Sequence, residues 1–210
     1  MKALLVSGFA TIGAGAGAML TLHAEAGLDP MHTVISEYAW QQSGWLLPAS
    51  LTLFAVGATL IAEALRRAGG NRWVVGLLVA WGASMFLIGA FPTDRPGVPL
   101  SLSGGIHRYA AFAAFLMMPV AGLLLAKARV RYARSMRILC LTALGALVLV
   151  VIPYVVRMFG LPLTNDDIPA GLIQRTVVVT EVAVLALAGL SMLRPAARRA
   201  LAARPVIRQA

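Results

Sequence analysis

The chain has 210 residues, of which 60% are apolar and 12% are charged, and its mean hydropathy is +0.82. This composition excludes an ordinary soluble domain and predicts one integral membrane domain over residues 1–210. The net charge of +10 comes from short basic clusters beside apolar segments, so we predict contact with membrane lipid headgroups and no nucleic-acid binding.

Six apolar segments each have about the 20 residues needed to cross a hydrocarbon core of roughly 30 Å. They predict an all-α fold, a six-transmembrane-helix bundle. The predicted spans lie at approximately 3–22, 45–65, 73–91, 106–126, 138–159 and 170–193, followed by a basic tail at 194–210.

The first span also has features of a cleavable signal peptide, namely Lys2 and the sequence A-E-A at 24–26. Its apolar stretch is longer than a typical signal-peptide core, and we therefore expect this helix to be retained. Gly13 and Gly17 stand four residues apart, a spacing that allows close helix packing in lipid. We expect these glycines to lie at a helix contact.

The basic residues predict the orientation of the bundle. Of the 18 Lys and Arg residues, 14 lie at the N-terminus, in the second and fourth loops or in the C-terminal tail. Because positively charged loops stay in the cytoplasm, both termini are predicted to be cytoplasmic in a multi-pass protein of the cell (plasma) membrane. The opposite, extracytoplasmic side collects acids and histidines: Glu25, Asp29, His32, Glu37, Asp94, His107, Asp166 and Asp167. A functional site is therefore expected on that side.

The sequence predicts a short helix in the first extracytoplasmic loop. Asp29 followed by Pro30 is typical of a helix start, with the aspartate as N-cap and the proline in the first turn. We predict an interfacial helix directly after this pair. On it, His32 and Ser36 would share one face while Glu37 lies on another, because residues four apart are neighbours on a helix.

Polar residues also enter the spans themselves. His107 lies at the outer end of the fourth span, and Arg175 lies roughly 8 to 9 Å below the start of the sixth. Glu181 follows near the bilayer midplane. Buried ionisable groups cost about 2.5 to 3.5 kcal/mol each and normally face the bundle interior with a partner. We predict that Gln174, Arg175 and Glu181 bind a ligand, with a purely structural polar network as the alternative.

Three motifs resemble the DUF998 family of polytopic membrane proteins. They are DPMHTVISEYA at 29–39, FPTD at 91–94 with IHRYAAFAAF from 106, and GLIQR at 171–175. That family is similar in outline to the Frag1/DRAM/Sfk1 group of six-span, lipid-related proteins. The resemblance covers most of the chain but implies no agreed activity and no known cofactor. The family-like positions are His32, Ser36, Glu37, Asp94, His107 and Arg175; one departure is Gln174, where the family pattern leads us to expect an acid.

The main functional prediction is recognition or remodelling of a lipid-like anionic molecule held by Arg175. In a hydrolase or acyltransferase, Ser36 would be activated by His32 or His107 and oriented by an acid. The candidate catalytic residues are His32, Ser36, Glu37, Asp94 and His107. These polar residues leave open whether the protein is an enzyme.

Other functions fit the same residues. In a metal-dependent hydrolase, His32, His107 and Asp94 would be the ligands, although no helical H-x-x-x-H spacing supports them. A non-enzymatic membrane scaffold or sensor is the main competing class. A small carrier is a weaker alternative because the two halves of the chain show no repeat. The predicted partners are membrane lipid and other copies of the chain, in a homo-oligomer formed through helix contacts.

Overall fold

Six helices form one bundle in the computed structural model, which describes residues 1–95, 97–160 and 167–193. The helices are α1 Lys2–Ala26, α2 Leu46–Arg67, α3 Arg72–Ala90, α4 Leu102–Lys127, α5 Ala133–Met158 and α6 Ala170–Ser191. Each contains a segment long and apolar enough to cross a membrane. The predicted all-α, six-span fold is therefore confirmed. Asp166 and the basic tail lie outside the described residues.

Each helix packs against its neighbours in sequence, and α6 also packs against α4 and α1. The core consists of buried apolar side chains from several helices, among them Leu5, Ile61, Leu78, Met118 and Leu185. Consecutive helices run in opposite directions, so alternate connections lie at the same end of the bundle. The two ends differ chemically because their connections differ in composition. One, the basic end, carries the basic clusters of the α2–α3 and α4–α5 connections.

The other end of the bundle carries a short 3₁₀ helix, Ile35–Trp40, named η1. It belongs to the connection between α1 and α2, residues 27–45, called here the α1–α2 segment. The starts of α4 and α6 lie at this same end, called the η1 end. The polar residues of the three sequence motifs therefore come from elements that meet at one end of the bundle.

Glycines let α1 approach α2 closely, but they are not the predicted ones. A Cβ at Gly8 or Gly15 would lie 3.1 to 3.2 Å from side-chain atoms of α2, and the Ser50 hydroxyl donates to the Gly15 carbonyl at 2.8 Å. Gly13 and Gly17 have no described atom within 4 Å of a Cβ position. They therefore mediate no helix contact within the described bundle, because they fall on a different face of α1, and a contact with another copy stays a prediction. The homo-oligomer stays a prediction.

Candidate functional site

The α1–α2 segment lies directly against the first turn of α6. A Cβ at Gly171 would overlap the carbonyl oxygens of Pro30 and Thr33. The Leu172 amide donates to the Met31 carbonyl at 3.0 Å. Glycine is therefore required at 171 because the backbone of the segment occupies the space of a side chain.

Arg175 stabilises this contact through hydrogen bonds. Its Nη1 donates to the carbonyl oxygens of Pro30 and Thr33, each at 2.8 Å. Its Nη2 donates to the Tyr38 hydroxyl at 2.8 Å, and its Nε donates to His23 Nε2 at 3.1 Å. The His23 ring stacks on the Tyr38 ring with centroids 4.5 Å apart. Since a guanidinium has five N–H donors, most of its capacity is used to join α6 to α1 and to the α1–α2 segment.

A short helix is present between the first two spans, but it is η1, Ile35–Trp40, and it does not start directly after Asp29. The predicted start at Asp29 is therefore wrong, and the position of this helix at the membrane interface stays a prediction. The Asp29 carboxylate instead caps a turn and pairs with the exposed His32, whose hydrogen bond lowers the pKa of Asp29. The Ile35 amide donates to Gln174 Oε1 at 2.6 Å, and Arg175 takes backbone carbonyls of the turn. Backbone groups that a continuous helix would use are thus bonded to α6, and the regular structure starts only at η1.

Asp94 of the FPTD motif lies at the start of α4. Its Oδ2 accepts a hydrogen bond from the Ser101 amide at 3.0 Å, and the Ser101 side chain caps the helix by accepting from the Gly104 amide at 3.0 Å. Hydrogen bonds from Ser101 hold the pKa of Asp94 below its usual value. A carboxylate at a helix N-terminus is favoured by the unpaired amides and the helix dipole. Asp94 therefore stabilises the start of the helix that carries His107.

We expect Gly104→Ala to push Asp94 away from the α4 N-terminus, because the added Cβ would overlap its carboxylate. The thermal midpoint of the detergent-solubilised protein should fall by about 2–4 °C. Gly105→Ala is the matched control, since a Cβ there meets no described atom within 4 Å. Equal midpoints for the two variants would show that Asp94 does not hold this helix start.

His107 is buried near the start of α4 and has an assignable tautomer. Its Nδ1 lies 3.1 Å from the Ile88 carbonyl oxygen and 2.9 Å from that of Phe91. Carbonyl oxygens only accept, so Nδ1 carries the hydrogen and Nε2 of the neutral ring is an acceptor. His107 thus ties α4 to the end of α3 with one nitrogen and leaves the other for a different partner.

A cavity of about 500 Å³ lies at the η1 end between η1, α4, α5 and α6. Its volume is within the range of roughly 300–1,000 Å³ typical of small-molecule sites. Its apolar wall includes Phe112, Phe115, Leu147, Val150 and Ile173. Its polar lining residues, called here the polar rim, are Ser36, Thr93, His107, Arg108, Tyr109 and Gln174. The cavity therefore combines an apolar interior with hydrogen-bonding groups, which suits an amphiphilic molecule.

The predicted site residues divide between this cavity and other places. Ser36, His107 and Gln174 line the cavity. The described cavity lining does not include His32, Glu37, Asp94, Arg175 or Glu181. Arg108 also lines the cavity. It is one of the four basic residues outside the basic clusters, which the sequence marks as the first cations to consider for the site: Arg95, Arg108, Arg157 and Arg175. Tyr38, a partner of Arg175, lies in the motif at 29–39 but was not singled out as a site residue, and nothing in the sequence indicated that His23 would bind Arg175.

The three ligands of the metal-hydrolase alternative are not brought together. His32 pairs with Asp29, whereas Asp94 caps α4 and His107 binds backbone carbonyls with Nδ1. Across the described ranges, no group of three or more His, Cys, Asp and Glu residues is placed to hold a metal ion. The structure therefore gives this alternative no support.

Glu181 lies inside the bundle, with 1% of its surface exposed. Its Oε2 accepts a hydrogen bond from the Trp81 indole at 3.0 Å, which links α6 to α3. Its Oε1 has no hydrogen-bond partner among the described residues. These contacts correspond to the structural alternative for Glu181, and its role in ligand binding stays a prediction.

The helices and the cavity define a polytopic α-helical membrane protein with an amphiphilic cavity at one end. The chain belongs to the DUF998 family, described as a protein of unknown function, which matches residues 4–191. The resemblance seen in the three motifs is thereby confirmed, and the outline likeness to the Frag1/DRAM/Sfk1 group stays a prediction. No curated protein and no solved structure matches the chain.

Proposed function

We propose that this membrane protein binds a lipid-like amphiphile with an anionic head in the cavity at the η1 end. The observation that carries the proposal is the continuity of an apolar wall with a polar rim in one cavity of about 500 Å³. A membrane interior is as apolar as the wall, so an acyl chain gains little by leaving the bilayer. Affinity and selectivity must therefore come chiefly from the rim.

The rim favours a negative head. Arg108 contributes a permanent cation with donors only, and the described lining residues include no carboxylate. Asp94 interacts electrostatically with Arg108 but does not line the cavity. Arg108 would therefore bind the anionic head, whereas Arg175 holds the α1–α2 segment against α6.

Binding without turnover is the form of the proposal that the contacts support. Ser36 and His107 line the same cavity, yet no hydrogen bond joins them in the described part of the chain. An activated serine needs a base within hydrogen-bond reach. By the distribution of basic residues, we place the η1 end on the extracytoplasmic side of the plasma membrane, where the cavity would take molecules of the outer leaflet.

We expect Ala111→Trp to fill the cavity, because Ala111 is one of its wall residues. Native mass spectrometry of the purified protein should show a bound amphiphile in the wild type and at least a tenfold lower occupancy in the variant. Ala113→Trp is the matched control, since it places the same side chain on α4 away from this cavity. Equal occupancy in Ala111→Trp and wild type would contradict the proposal.

A further inference from the structure

We infer that the cavity selects amphiphiles whose anionic head also carries a hydroxyl group. This inference rests on the proposed binding function and names the ligand class of the same site. It follows from the direction in which each rim group can form a hydrogen bond. The rim offers donors that suit an anion and one acceptor that an anion cannot satisfy.

The donors are Gln174 and Arg108. The Gln174 amide is oriented by the Ile35 N–H, which must bind an oxygen and does so at Oε1 with a distance of 2.6 Å. The NH₂ group of Gln174 is therefore the part left to donate. Together with the guanidinium of Arg108, it provides N–H groups for the oxygens of a phosphate or similar anion.

The acceptor is His107. Its two hydrogen bonds in the described structure both involve Nδ1, which donates to the ends of α3. Nε2 therefore keeps a lone pair in a residue that lines the cavity. Ser36, Thr93 and Tyr109 can donate or accept, so they do not discriminate between heads. A ligand that fits every rim group needs a hydrogen-bond donor beside its anionic oxygens. A hydroxyl group is the donor that fits, because an ammonium group would place a second cation beside Arg108.

This chemistry separates classes of amphiphile. A dialkyl phosphate diester satisfies Arg108 but brings no O–H group to His107. A choline head has no hydrogen-bond donor and adds a cation beside Arg108. A glycerol phosphate head has both anionic oxygens and hydroxyl groups. Sites built to bind a hydroxyl discriminate strongly against analogues without it, because a buried polar group is then left unpaired.

The test compares two matched probes, dodecyl phosphoglycerol and its di-O-methyl ether, in which methyl groups replace the two hydroxyl hydrogens of the head. Equilibrium binding is measured to the whole protein in phosphatidylcholine nanodiscs. The wild type should bind the hydroxyl probe on the order of tenfold more tightly, the effect of one hydrogen bond at a site of this kind. Equal affinities would overturn the inference and leave amphiphile binding intact. Binding of neither probe would overturn both.

The variant His107→Asn assigns the preference to one atom. An asparagine nitrogen can replace Nδ1 as donor to the Ile88 and Phe91 carbonyls, so the helix contact is kept, while the Nε2 acceptor is removed. The tenfold preference should disappear in this variant. Arg108→Gln should instead weaken both probes equally, because it removes the charge that they share. A preference retained in His107→Asn would overturn the role of His107.

Discussion

Replacing Arg175 by glutamine is expected to release the α1–α2 segment from α6. The change removes hydrogen bonds to two backbone carbonyls, to Tyr38 and to His23. At about 1 kcal/mol net for each of these four bonds, local opening should become easier by about 4 kcal/mol. Amide hydrogen exchange at Ile35 and Leu172, which donate across this contact, should accelerate roughly thousandfold.

Two further variants make this result specific. Arg175→Lys keeps the charge but cannot form four directed hydrogen bonds, so exchange should remain close to that of the glutamine variant. Arg72→Gln is the control, since Arg72 is exposed at the start of α3 and stacks over the adjacent Trp73. If exchange were unchanged in Arg175→Gln while amphiphile binding was lost, Arg175 would be a ligand group, as the sequence predicts, and not a fastening group.

The second large effect is expected at Trp81. Trp81→Phe removes the hydrogen bond to Glu181 Oε2, and the other carboxyl oxygen already has no partner in the described structure. Leaving a buried carboxyl without a hydrogen bond should lower the free energy of unfolding by about 2–3 kcal/mol. Reversible unfolding in mixed micelles measures the change. Trp73→Phe on the same helix is the control, because Trp73 is 65% exposed.

A double-mutant cycle tests whether the pair accounts for this loss. Glu181→Leu alone leaves the Trp81 indole without an acceptor, and it should destabilise the protein by about 1–2 kcal/mol. The double variant Trp81→Phe/Glu181→Leu removes both polar groups and should recover more than half of the Trp81→Phe loss. Additive effects of the two single changes would show that the two side chains do not stabilise each other.

The sequence predicts the fold well because helix number in a membrane follows from local properties. Each span is recognisable from its own length and hydropathy, and the observed helices correspond to the six predicted spans. The start of the short helix is predicted wrongly for the opposite reason, because the helix begins at Ile35 and not directly after Asp29. The local start signal is real, but hydrogen bonds with Gln174 and Arg175, well over a hundred residues away, compete for the same backbone groups. A local rule cannot include such partners.

The candidate site is predicted only in part, since residue type does not reveal role. An arginine within a predicted span looks the same in the sequence whether it binds an anion or holds a loop in place. Only the hydrogen-bond partners of Arg175 distinguish the two roles. His107 and Ser36 were identified as polar residues on one side of the bundle, and both line the cavity. Arg108 lies outside the basic clusters that predict the orientation of the bundle, so the sequence marks it as unusual. Nothing in the sequence shows that it lines a cavity.

Gln174 takes part in two features of the molecule. Its Oε1 accepts the hydrogen bond from Ile35 of the α1–α2 segment, and the residue also lines the cavity. A ligand that binds the amide would also immobilise the side chain that the segment needs. Occupancy and closure would then be thermodynamically linked, and the linkage is reciprocal. A bound amphiphile would lower the equilibrium constant for opening of the segment by the same factor by which closure of the segment raises affinity.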